Sequence, residues 1–306
     1  MTNYKDGLNE DINKKIAEVV HLICNNPAIY FSEADIHVLM MRALMEIPSL
    51  NPFEKGEEKN GTFKKGWETK EKGGGLYPTS KSIGQNSDEG MSQTPYKTML
   101  VHREYGHEDH SRAKSDIVIF DEEVEFIDDP LKLKAGGKYL TPRYIFEFGT
   151  ENVSGGDGKK YTEHIQNDLQ KLSECKEEGR GFLIHIDKME REEATKTKDK
   201  YKKEFEEVWK TWETATSVKI SDKIKMLVFF VEIGVSTRII PSKVEMFNPY
   251  SKNDCYWVKV SLKHIEVIIK EFLSKEKPNL AEIYNRKDEL LEKDKRDLNN
   301  KNGKTK

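Results

Sequence analysis

The sequence predicts an α/β protein: a mixed β-sheet flanked by helices, with further helices before it and strand and helix additions after it. Three observations carry this. Short apolar runs, "TMLVHREY" (98–105), "DIVIF" (116–120), "RYIFEF" (143–148) and "FLIHI" (182–186), have strand length and strand composition. Segments on either side repeat their apolar residues at helical spacing. The order through the middle is helix, strand, strand, strand, helix, strand, with elements added at both ends.

Residues 8–24 and 32–46 read as the two N-terminal helices of a 1–50 segment. In the second, Ser32 is placed as N-cap, and Ile36, Leu39, Met40 and Leu44 share one face. Composition then breaks. Residues 51–97 hold eight glycines and eight lysines, with few apolar side chains, among them Phe53, Phe63, Trp67, Leu76 and Tyr77. So few apolar residues cannot offset the entropy of ordering the chain, and a flexible loop is expected. The core and its C-terminal extension occupy 98–278. Tyr161, Ile165, Leu169 and Leu172 mark a helix ending near Gly179, and Tyr201, Phe205, Val208 and Trp212 mark a second amphipathic helix. "KMLVFFVEI" (225–233) and "YWVKV" (256–260) add strands. Ser261 is placed to cap a last packed helix with Leu262, Ile265, Ile269 and Phe272 inward. Residues 279–306 read as a charged, frayed tail.

Among 306 residues, 36% are hydrophobic and 34% charged, and the net charge is −3. Bulk charge therefore gives no argument for nucleic acid, and such a contact needs a local patch. Nine of the 51 basic residues are Arg, a lysine excess that does not itself speak for recognition. Cys24, Cys175 and Cys255 lie far apart without a CxxC, which points to a reducing compartment and away from zinc. The longest apolar run, "MLVFFV" (226–231), is too short to span a bilayer, so a cytoplasmic protein with no membrane partner is expected.

Glu147 poses the chemical question, because it sits inside an apolar strand, where a bare carboxylate costs several kcal/mol. If 116–120 and 143–148 pair antiparallel with Phe120 opposite Arg143, Asp116 falls opposite Glu147. Directly opposed residues share a face within roughly 5 Å. Two carboxylates that close repel unless a cation lies between them or one keeps its proton. Glu104, at the end of the preceding strand, adds a third. Oxygen donors in this number suit Mg²⁺ or Mn²⁺ better than zinc. The competing reading makes Asp116 a strand-end residue and Glu147 half of an internal salt bridge with Arg143 or Lys114.

The run "SDIVIFD … RYIFEFG … HIQNDLQKL … FLIHI" resembles the core of the PD-(D/E)XK nuclease superfamily, which includes many restriction and repair nucleases. The resemblance covers about residues 30–48 and 98–187. It implies a restriction-endonuclease-like sheet and Mg²⁺-dependent hydrolysis of DNA phosphodiesters, with a restriction or defence role as its commonest setting. Asp116 resembles the superfamily's metal-binding aspartate and Glu147 its second metal-binding acid. Glu33 resembles the helix acid of many members, Gln166 a polar position that often faces the site, and Glu104 a weaker metal candidate. The superfamily pattern has a lysine two residues after the second acid, and here that position is Gly149. Either another group supplies the charge or the domain binds nucleic acid or a protein without cutting. Lys160 and then Lys159, in "GGDGKK" before the helix carrying Gln166, are the substitutes the sequence offers; both also read as solvated loop lysines. Lys159→Ala with Lys160→Ala is expected to slow cleavage, and a lysine placed at 149 in that background to restore part of the rate. The residues do not separate DNA from RNA, and a homodimer is compatible with them.

Other motifs weigh less. "HEDH" (107–110) reads as a polar turn rather than a zinc site. His185 reads as a satisfied core histidine, His164 as surface and Trp212 as core. Trp67 is an aromatic among lysines able to stack on a base, or plain loop. No GxxxxGK[ST], GxGxxG after a strand, or GxSxG occurs.

Overall fold

The computed structural model describes residues 4–29, 32–50, 58–59, 62–63, 101–106, 114–120, 142–150, 158–175, 179–190, 194–215, 223–234, 240–250 and 256–303. The motif "HEDH", Trp67 and most of the 51–97 segment lie outside these residues.

Two helices open the chain, α1 (Tyr4–Asn25) and α2 (Glu33–Met45). In α1, Leu8, Ile12, Ile16, Val20 and Ile23 recur at three- and four-residue spacing and are buried. At the start of α2, Asp35 accepts the Ser32 backbone N–H at 2.9 Å, which satisfies an amide ahead of the helix. The two-residue strands β1 (Glu58–Lys59) and β2 (Thr62–Phe63) pair antiparallel.

Seven strands form one sheet in the order β3-β4-β5-β6-β7-β8-β9. They are β3 (Val101–Gly106), β4 (Lys114–Ile119), β5 (Tyr144–Gly149), β6 (Arg180–Glu190), β7 (Ile224–Gly234), β8 (Ile240–Phe247) and β9 (Trp257–Val260), with α3 (Gly158–Ser173) and α4 (Ala194–Ala215) flanking β6 in sequence. The four core strands read from the sequence thus share one sheet. Pairings β3/β4, β4/β5, β7/β8 and β8/β9 are antiparallel. Between β5 and β6 the direction is parallel: Arg180 N–H donates to the Arg143 carbonyl at one end, and the His185 ring lies on Gly149 at the other. A helix between parallel neighbours is what such a crossover requires, and α3 supplies it. The sheet is therefore mixed, as expected for an α/β chain.

Strand β8 is not anticipated by the sequence reading. Pro241 lies within it, and Lys243 and Glu245 interrupt its apolar pattern. The structure accommodates Pro241 where the register with β7 shifts, between Glu232 and Ile233. A residue without an N–H is tolerated at such an irregularity.

The chain divides into two compact units. One comprises Met41–Glu147 and Gln170–Phe182, and so holds β3, β4, most of β5 and the last turn of α3. Its core includes Val101, Ile117, Val118, Ile119, Tyr144 and Phe146. The other comprises Met1–Met40, Phe148–Leu169 and Leu183–Lys306. Within it, α4 buries Phe205, Val208 and Trp209, and Trp209 meets Tyr250 edge-on. The side chain of Trp212 lies outside the described residues. A 3-10 turn, Leu262–His264, leads into α5 (Ile265–Ser274), and Ser261 makes no side-chain cap bond there. Lys225, buried on β7, donates to the carbonyls of Lys275 and Glu276 at 2.7 and 2.5 Å, satisfying acceptors just past α5.

The charged tail is helical rather than frayed, as α6 (Leu280–Asn285) and α7 (Lys287–Gly303). Asn279 caps α6 by accepting from the amides of Ala281 and Glu282. Leu290 is buried, and α7 is tied to the preceding segment by His264 with Asp288 at 3.0 Å and Lys270 with Asp294 at 3.2 Å. Composition alone hides such anchors, for buried Leu290, the His264–Asp288 contact and the Lys270–Asp294 pair are not visible in a run of charged residues.

Glu266, on α5, joins the same network. The hydrogen bond from His21 lowers its carboxyl, burial works against this, and Lys270 lowers it further, for a net value of about 2. A carboxyl lowered by folding contributes stability above its unfolded pKa, and that contribution disappears as pH falls toward the folded value. Glu266→Gln should therefore melt below wild type at pH 6, with the gap closing between pH 4.5 and 2. A gap that stays constant over that window refutes the assignment.

Among the described residues, no helix is long and apolar enough to cross a membrane.

Candidate functional site

The β4/β5 register pairs Ile117 with Phe146, Val118 with Ile145 and Ile119 with Tyr144. One further step along both strands sets Asp116 across from Glu147, the arrangement expected from the sequence. On the other side of β4, Arg103 pairs with Ile117 and Tyr105 with Ser115, so Glu104 falls across from Asp116. Three acidic positions thus line up across three neighbouring strands. The side chain of Glu104 is outside the described residues.

Every residue of β5 is buried, and Glu147 is only 1% exposed; Asp116 is half-buried. The cation beside Glu147 is Lys171, from the last turn of α3. Its ammonium meets Glu147 Oε2 and also donates to the Lys114 carbonyl at 3.2 Å. The sequence offers Arg143 or Lys114 as the partner of Glu147, and the structure brings Lys171 to it. Arg143 stands over the Tyr144 ring, and Lys114 contributes its backbone oxygen. Glu147 is fully buried and Lys171 partly so; their mutual attraction offsets the cost of taking the carboxylate out of water, and removing Lys171 strands the acid.

Lys171 was missed because no motif names it. The signal available was azimuth: Lys171 precedes Leu172, at the edge of the apolar stripe formed by Ile165, Leu169 and Leu172, all buried. Gln166 is five residues earlier, about 140° round the helix, and exposed, so the structure does not bring it to this pair. Lys159 and Lys160 lie in the first turn of α3. Lys160 is eleven residues from Lys171, about 16 Å along the helix axis. Their side chains are outside the described residues.

Glu33 lies in the first turn of α2. Its Oε1 is 3.7 Å from His37 Nε2, and the His37 ring meets Phe148 at 5.0 Å between centroids. On α3, His164 is half-exposed rather than free on the surface, with Nε2 3.1 Å from Asp168 Oδ2.

The glycine at 149 has a physical cause. A Cβ built there meets His185 Nδ1 at 2.2 Å and Cε1 at 2.7 Å. The His185 ring is buried, with Nε2 3.0 Å from buried Asp187 Oδ1, and lies edge-on to Phe205 at 5.1 Å. It is a satisfied core histidine, as read from the sequence, but it also occupies the space of any side chain at 149. A lysine at 149 therefore meets a steric obstacle that the sequence does not reveal.

Asp116 and Glu147 themselves offer only oxygen donors, which suit a hard divalent cation. A carboxylate has about four lone-pair sites, so an ammonium on Oε2 does not exhaust Glu147 as a ligand. Comparison of the chain with family models, with curated proteins and with solved structures gives no match.

Proposed function

We propose that the chain is a metal-dependent nuclease of the PD-(D/E)XK type, hydrolysing DNA phosphodiester bonds. The observation that carries this is one acid pair with a cation beside it: Asp116 across from Glu147, and the Lys171 ammonium on Glu147. Asp116 and Glu147 are the residues that would hold Mg²⁺, or Mn²⁺, with Glu104 and Glu33 as further acidic candidates. A bound ion of this kind activates water and stabilises charge on phosphoryl oxygens.

The chain's own groups do the rest. Two carboxylates opposed across neighbouring strands repel, and a divalent cation between them relieves that repulsion. Lys171 offsets part of that charge and supplies an ammonium donor beside the second acid, the task the superfamily pattern gives to a lysine at 149. Burial of Glu147 keeps the pair away from bulk solvent, where its electrostatic effect would be weaker.

The test is incubation with supercoiled plasmid in Mg²⁺, in Mn²⁺ and in EDTA. Cleavage is expected with either metal and not with EDTA. Asp116→Ala and Glu147→Ala should each abolish it, and Asp116→Ala should retain the fold by circular dichroism. Cleavage by both variants at the wild-type rate would place the chemistry elsewhere.

A second reading also has an observation in its favour. Glu147 is nearly inaccessible and already bound to Lys171, as in a purely structural ion pair. On that reading the domain binds nucleic acid or a protein without cutting. Binding of DNA that weakens steeply with salt, with no cleavage in any metal, would select it.

A further inference from the structure

We propose that His185 is a positioning residue: its ring, seated on Gly149, excludes a side chain from that point of β5 and so assigns the site's ammonium group to Lys171 of α3. The inference rests on the nuclease reading above and deepens it, by naming what decides which lysine serves Glu147.

Residues 147 and 149 are two apart on one strand and so point to the same face. A lysine at 149 would therefore stand beside Glu147, where the ammonium is needed. The would-be Cβ is 2.2 Å from His185 Nδ1, well inside any contact that two heavy atoms tolerate. Relief requires the imidazole to move, and it is held on two other sides. Its Nε2–H donates to Asp187 Oδ1 at 3.0 Å, and Phe205 packs edge-on against it at 5.1 Å. His185 is 1% exposed and Asp187 fully buried, so neither can turn to water. Rotating the ring away would also leave a buried carboxylate without that donor. The pair consequently fixes position 149 as glycine. With β5 closed to it, the ammonium arrives from α3, where Lys171 reaches Glu147 Oε2 and is steadied by the Lys114 carbonyl.

The test moves the lysine. Lys171→Met is expected to lower plasmid cleavage in Mg²⁺ about 100-fold in kcat, with little change in KM. Adding Gly149→Lys to that chain should give no recovery while His185 is present. Adding His185→Ala and Asp187→Asn as well should open the space without leaving a bare buried acid, and recover kcat about tenfold.

Thermal denaturation gives a readout independent of activity. Gly149→Ala should lower the Tm in the wild-type chain and lower it less in the His185→Ala/Asp187→Asn chain. The inference is overturned if Gly149→Ala melts with wild type, or if Gly149→Lys rescues Lys171→Met with His185 in place. A folded combined variant that recovers nothing overturns it too. Should the combined variant not fold, Gly149→Ala in the wild-type chain still decides the steric claim. Should the wild-type chain cut nothing, the nuclease reading fails while the Tm comparison continues to report on the seat.

Discussion

Lys171→Met should destabilise the protein by about 3 kcal/mol near neutral pH, because breaking a buried ion pair strands the surviving charge. Glu147 has no route to water from inside β5, so it must either stay ionised without its ammonium or take up a proton. The loss should therefore shrink as pH falls and protonation becomes easy. Adding Glu147→Gln should return most of the stability, since the amide carries no charge to desolvate. Urea denaturation of wild type, Lys171→Met, Glu147→Gln and the double variant at two pH values measures this coupling directly. If Lys171→Met melts with wild type at every pH, the contact is incidental, and both the site and its explanation of Glu147 fall.

Gly149→Lys in the otherwise unchanged chain should be worse still for the fold. Overpacking a filled interior costs about 1–3 kcal/mol, and confining an ammonium there adds to it. The expected result is a large fall in Tm or insoluble protein, with no gain of cleavage. A soluble Gly149→Lys chain with wild-type Tm would mean that His185 yields easily. The sequence pattern by itself gives no warning of this, for it places a lysine at that position. The difference lies in β6, where His185 is 36 residues from position 149 along the chain but beside it in the sheet.

That contrast marks where sequence stops being legible. Strands β4 and β5 were readable because "DIVIF" and "RYIFEF" are apolar enough to demand burial, and their register followed from one assumed pair. The opposition of Asp116 to Glu147 came with it. Strand β8 was not readable, because Pro241, Lys243 and Glu245 contradict strand propensity, and only the shifted register with β7 explains the proline. The last helix was unreadable for a different reason: Leu290 and the partners of Asp288 and Asp294 are contacts, and a composition of charges does not announce them. Lys171 falls between these cases. Its helix was evident, but its role depends on which edge of that helix meets β5, and that is a property of packing.

Unbroken burial along β5 carries one more consequence. A strand with neighbours on both sides and no exposed residue has amides that water reaches only when the sheet itself parts. The Glu147 amide should thus be among the slowest to exchange with deuterium, on the timescale of global unfolding rather than of local breathing. If the nuclease proposal holds, any motion that admits a phosphate must come from the elements around the strand, while Glu147 stays fixed as the reference point against which they move.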